Sequence, residues 1–134
     1  MTTSSTEPEE AATLALLKEI TRAFNSRDAE RIASYFAEDA TFLMASGPEP
    51  DGRAIRGRAA IRQVLADRFL RIPDMRWESL YAYATGSSRA VSVWRVKGKS
   101  VEGTVLDYRG CDLWEFKDGL VSHKDTYWKL VNPG

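Results

Sequence analysis

Residues 108–130 read YRGCDLWEFKDGLVSHKDTYWKL, two runs rich in aromatic and β-branched residues on either side of Lys117-Asp118-Gly119, the pattern of a β-hairpin. One residue is out of keeping with that pattern. Asp112 stands between Cys111 and Leu113 and two positions before Trp114, in a segment apolar enough to be half or fully buried. Burial raises the pKa of a carboxyl group unless cations or donors answer it, so Asp112 is either one half of a structural ion pair or a tuned acid.

The turn decides which residues share its face. A two-residue Asp118-Gly119 turn sets Lys117 opposite Leu120, Asp112 opposite Asp125, and Trp114 opposite His123. A three-residue loop with Gly119 left-handed sets Phe116 opposite Leu120 and Asp112 opposite Lys124, and brings Trp114, Ser122, Thr126 and Trp128 to the same face. A slip of one residue turns every side chain over, so these are different chemical sites. The second register is preferred because it pairs opposite charges across the ladder.

Working outward, the order is helices first and strands last. Thr6 with Glu9 forms a capping-box pattern and Pro8 suits a first turn. Leu14, Leu17, Ile20 and Phe24 then follow at helical spacing, to an end near Asn25-Ser26. Asp28 caps a short second helix carrying Ile32, Tyr35 and Phe36, and the chain turns extended at Thr41–Met44. The Gly- and Pro-containing stretch Ala45–Gly57 reads as a connection or as the rim of a cavity. A third helix carries Ile61, Leu65 and Phe69 and stops at Ile72-Pro73. Four β-rich segments follow: 75–84, 89–97, 101–116 and 120–131. Gly103 and Gly110 predict bulges that curl the third of these. The expectation is an α+β fold, with three N-terminal helices packed on a strongly curved antiparallel sheet as a cone with an interior pocket. Residues 1–7 are expected to be a disordered tail and 8–134 a single domain.

With 19 basic and 19 acidic residues among 134, no overall charge recruits nucleic acid or an anionic membrane. Seven arginines between Arg53 and Arg76 are interleaved with Asp67, Asp74 and Glu78 and read as a solvated helix face. The lone Cys111 excludes an internal disulfide and a thiolate metal cage, reads as a small core residue, and suits a reducing cytoplasm. There is no phosphate-cradling loop, nucleophile elbow or paired metal-ligand spacing, so no cofactor and no metal are expected. The expected partner is a small hydrophobic ligand, not nucleic acid or membrane, with a second copy of the chain on the exposed sheet face.

The motifs Tyr35–Phe42, Gly57 followed by Ala59-Ala60-Ile61, and Leu113–Val121 leading into Asp125–Lys129 resemble the SnoaL-like branch of the nuclear-transport-factor-like superfamily over about residues 10–131. That resemblance implies a cone fold that hosts ketosteroid isomerases, polyketide cyclases, epoxide hydrolases, dehydratases and non-catalytic binding proteins. It places Asp112 where ketosteroid isomerases keep a protonated acid of the oxyanion hole, a case that is a known worked example of pKa tuning. It also places Met44 at their general base and Ile20 at their oxyanion tyrosine, and methionine cannot take a proton. Against the epoxide hydrolases, Arg95 is kept, Lys97 replaces the first acid, and the second falls at Asp125 or Thr126.

The residues therefore point to a cofactor-independent acid–base enzyme of isomerase, cyclase, dehydratase or hydrolase type. Its substrate would be a hydrophobic cyclic compound such as a polyketide, steroid or terpenoid. A non-catalytic binding or assembly protein of the same fold is the alternative. Asp112 is the leading acid, and His123 with Asp125 is a second acid–base pair on the opposite face, about 7 Å apart along the strand. Trp94, Arg95, Tyr108, Trp114, Lys124, Trp128 and Met44 are the expected lining. The competing reading makes the tryptophans ordinary core and Asp112–Lys124 a structural pair.

Overall fold

The computed structural model describes residues 7–132; residues 1–6 of the expected tail, with the Thr6 cap, lie outside them. Helix α1 (Glu7–Ser26) begins at the last residue assigned to the tail, and is followed by α2 (Ala29–Ala33), β1 (Phe36–Leu43), β2 (Ala54–Arg56), α3 (Arg58–Arg71), β3 (Arg76–Thr85), β4 (Arg89–Lys99), β5 (Val105–Lys117) and β6 (Leu120–Trp128). The six strands form one sheet in the order β2-β1-β6-β5-β4-β3.

Each helix forms where its apolar period meets the sheet. Leu17, Ile20 and Phe24 of α1 and Ile61, Leu65 and Phe69 of α3 are buried, a stripe at helical spacing on each. Asp28 caps α2, accepting from the Arg31 N–H at 3.2 Å. At its far end α1 is stitched to edge strand β3: Asn25 donates to the Trp77 carbonyl at 3.0 Å and accepts from the Trp77 N–H at 2.7 Å. Near its start, the Thr13 hydroxyl donates to the Gly86 carbonyl at 2.9 Å. The helix thereby covers backbone that an open edge would leave free.

Several expectations are corrected. Phe36, assigned to α2, opens β1 and pairs with Val121; its helical spacing from Ile32 yields to the strand ladder. The loop before Gly57 holds a short strand, β2, paired with Thr41–Leu43, too brief to show an alternation. The sheet is mixed, because β1 runs parallel to β6, a pairing no hairpin turn constrains. Nor is the sheet strongly curled. Gly103 lies in the β4–β5 connection, and Gly110 sits in an unbroken ladder opposite Trp94 and Trp128. The reason for glycine at 110 is space: a Cβ there would run into the Tyr127 carbonyl oxygen and the Trp94 ring.

The β5–β6 hairpin combines the two registers considered above. Asp118 (φ 54°) and Gly119 (φ 77°) form a two-residue turn, and Lys117 pairs with Leu120 and Phe116 with Val121. Ser122 is then left unpaired, and beyond it Glu115 faces His123, Trp114 faces Lys124 and Asp112 faces Thr126. The extra residue restores the parity of the three-residue register. Asp112, Trp114, Lys124, Thr126 and Trp128 thus share the inner face.

Candidate functional site

Asp112 and Lys124 are 4% and 5% exposed, low enough that bulk solvent does not reach either charge. Lys124 Nζ lies 3.0 Å from Asp112 Oδ1 and donates to Thr126 Oγ1 at 2.7 Å. Thr126 in turn donates to Asp112 Oδ1 at 2.5 Å, and the Trp94 indole N–H donates to Oδ2 at 2.8 Å. The ammonium lies over Phe42, 4.3 Å from its ring centroid, and within 5.5 Å of the Phe24 and Trp114 rings, a favourable setting for a cation. Burial is the largest influence on Lys124 and pulls its pKa below the usual 10.5, against the opposing charge and hydrogen bond of Asp112. Both carboxylate oxygens of Asp112 are therefore in use, as in a closed structural network.

The hollow beside the pair is lined by Trp77, Trp94, Trp114, Ile20, Phe24 and the pair itself, and measures about 30 Å³. That is room for a water or two. A tryptophan-walled hollow exists next to Asp112, but it is far too small for a ring compound.

A second cavity, of about 510 Å³, lies between α3, β1, the β4–β5 connection, β6 and the segment after it. Phe42, Met44, Ile72, Met75, Leu106, Tyr108 and Trp128 supply its apolar wall. Tyr108 and Trp128 stack with ring centroids 5.2 Å apart. Its charged lining is Arg68, Arg71, Lys129 and Glu102. Thr126 lines this cavity too and separates it from the ion pair. Two donors in its wall are unusual. The Trp128 indole N–H is buried with no acceptor among the described residues. The Arg68 guanidinium, 5.9 Å from the Phe42 ring centroid, is hydrogen-bonded or ion-paired to no described residue. Burial, then the neighbouring charge of Arg71, pushes its pKa down to about 10, which still leaves it ionised at neutral pH.

The structure thus divides the expected site. Trp94, Trp114 and Lys124 border the small hollow with Asp112, whereas Met44, Tyr108 and Trp128 border the large cavity. Arg95 belongs to neither: it lies on the outer face, paired with Asp107 at 2.6 Å. His123 and Asp125 also lie on that face, on the opposite side of the strand from Asp112. Asp125 accepts from the Tyr127 hydroxyl at 3.1 Å and opens on a separate hollow of about 100 Å³. Cys111 is a half-buried residue of the outer face and not of the core, its thiol pKa raised mainly by burial. The positions corresponding to the isomerase residues do not converge either, since Ile20 and Asp112 border the hollow and Met44 the cavity.

Arg68, Leu106 and Thr126 were not among the expected lining. Arg68 was legible in part, being seven residues from Ile61 and three from Leu65, on the helix's apolar side.

Three helices against a six-stranded sheet enclosing a side-chain-lined cavity define an α+β pocket protein. The chain belongs to the SnoaL-like domain family, whose model matches residues 17–124, within the nuclear-transport-factor-like superfamily. Among solved structures, a putative polyketide cyclase from Xanthomonas campestris pv. campestris aligns with TM-score 0.79 at 18% identity, over 90% of this chain and 93% of that one. A putative isomerase from Bacillus subtilis aligns with TM-score 0.75 at 20% identity, over 87% and 86%. A hypothetical protein of ketosteroid isomerase-like fold from Catenulispora acidiphila, in complex with trimethylamine, aligns with TM-score 0.76 at 16% identity, over 86% and 85%. Such likeness establishes the fold and leaves the reaction open. No curated protein sequence matches the chain.

Proposed function

We propose that the protein binds a small hydrophobic ring compound, of polyketide, steroid or terpenoid size, in the 510 Å³ cavity and not beside Asp112. The observation that carries this reading is the cavity's size, which falls in the range of small-molecule sites, against a hollow of about 30 Å³ at Asp112. Among the described residues the only carboxylate in the cavity wall is Glu102, which is exposed. A site without a buried base or acid favours binding over proton abstraction.

Acid–base catalysis of isomerase, cyclase, dehydratase or hydrolase type is the second reading, and one contact favours it. The Thr126 hydroxyl, in the cavity wall, is hydrogen-bonded to both Asp112 and Lys124, so a proton on the pair has a route to a bound molecule. The exposed outer face of the sheet fits a homodimer contact, and the lone free Cys111 fits the cytoplasm.

The test is to fill the cavity. Leu106→Trp is expected to abolish binding of neutral ring compounds, followed by indole and methyl NMR shifts at Trp128 and Met44, while the fold persists. Undiminished binding by that variant, or shifts confined to Trp94 and Trp77, overturns the reading.

A further inference from the structure

We infer that the compound held in this cavity carries an acidic oxygen, a carboxylate, enolate or phenolate, received by the Arg68 guanidinium and the Trp128 indole N–H. The inference rests on the pocket reading and adds the chemistry of the ligand's polar end.

Arg68 presents five N–H donors and no acceptor, and the Trp128 indole presents one donor and no acceptor. What both lack is an acceptor. A fully buried donor such as the Trp128 indole N–H is otherwise almost always paired, and beside it the half-buried Arg68 guanidinium is hydrogen-bonded or ion-paired to no described residue. Among the described residues no carboxylate serves as its acceptor. The Asp112 charge is near enough to support the guanidinium, but its oxygens are occupied by Lys124, Thr126 and Trp94.

The wall as a whole leans the same way. Among the described residues of the wall, Arg68, Arg71 and Lys129 stand against Glu102, three positive charges to one negative. A planar guanidinium matches the fork of a carboxylate or two adjacent oxygens of an enolised diketone. The stacked Tyr108 and Trp128 rings give the same ligand a flat apolar surface. A neighbour of the same fold holds an amine, so the fold does not choose the sign of the charge. In this chain Arg68 and Trp128 choose it.

The experiment compares naphthalene-2-carboxylate with naphthalene-2-carboxamide by titration calorimetry at neutral pH, two probes of one ring and nearly one shape that differ in charge. The carboxylate is expected to bind at least about tenfold tighter, as charge-assisted hydrogen bonds to a half-buried arginine beside a buried indole N–H imply. Arg68→Met is expected to remove that preference by weakening the carboxylate to the level of the amide. Trp128→Phe, which keeps a ring and deletes the N–H, is expected to reduce the preference by a smaller factor. The wild-type comparison needs no variant and decides the sign by itself. Equal binding of the two probes, or a preference that survives Arg68→Met, overturns the acidic ligand and leaves the pocket reading standing. Binding of neither probe overturns both.

Discussion

Asp112 is held by three donors, from Trp94, Thr126 and Lys124, and the energetic consequence lies in how unequal its single and double replacements are. Lys124→Met leaves a buried carboxylate without its cation and is expected to cost about 3–5 kcal/mol. Asp112→Asn keeps an acceptor for Trp94 but strands the ammonium among Phe24, Phe42 and Trp114, with a similar cost. The double variant is expected to cost no more than either single one, which makes the coupling at least about 3 kcal/mol in a urea-denaturation cycle; additive losses would show that the two side chains act independently. The pair also imposes a pH dependence. The folded Lys124 pKa lies below its ordinary 10.5, so between those two values the unfolded chain holds more protons and stability rises with pH. Measured against the double variant, wild-type stability should climb as the pH approaches 10.5 from below; a flat or falling difference contradicts the depressed lysine. From sequence, Asp112–Lys124 was visible as a pair of opposite charges sharing a face. That its oxygens are fully occupied was not, because Trp94 comes from a neighbouring strand 18 positions away.

At the scale of the element, the β5–β6 hairpin shows why the faces were legible and the pairing was not. Asp118-Gly119 signals a two-residue turn with positive φ at both positions, and the turn forms as such. The opposite-charge argument favoured the other parity, and that parity is found beyond Ser122. One unpaired serine reconciles the two, and nothing in its side chain announces it. Deleting Ser122 should drive the following β6 residues to the wrong face, taking Lys124 and Thr126 out of the core. We expect loss of the cooperative unfolding transition and of the tryptophan near-ultraviolet dichroism. Ser122→Ala, which keeps the residue count, should change stability by no more than about 0.5 kcal/mol. A deletion variant that melts like the wild type would mean that the bulge does not set the register.

For the whole molecule, Tyr81, Val93, Cys111 and Tyr127 form a row across four strands on the outer face, flanked by Tyr83, Val91 and Leu113; Tyr83 is 66% exposed. A patch of that kind on an otherwise charged surface is where the proposed second copy of the chain would sit. Sedimentation is expected to show a dimer at micromolar concentration, converted to monomer by Leu113→Lys without loss of fold; a monomeric wild type removes the proposal. The helix stripes, the order of two helices, a strand, a third helix and four strands, the inner-face residues of the last hairpin and the family resemblance were all properties of the sequence, because period and turn chemistry are local. Only the tertiary structure decided that β1 lies parallel to β6, that Asp112 faces a hollow of about 30 Å³ and that the roomy cavity lies on the Arg68 side. The physical reason is that cavity volume and the saturation of a buried charge depend on which distant residues meet, and Arg68, Thr126, Leu106 and Trp128 are brought to one wall only when α3 closes against the sheet.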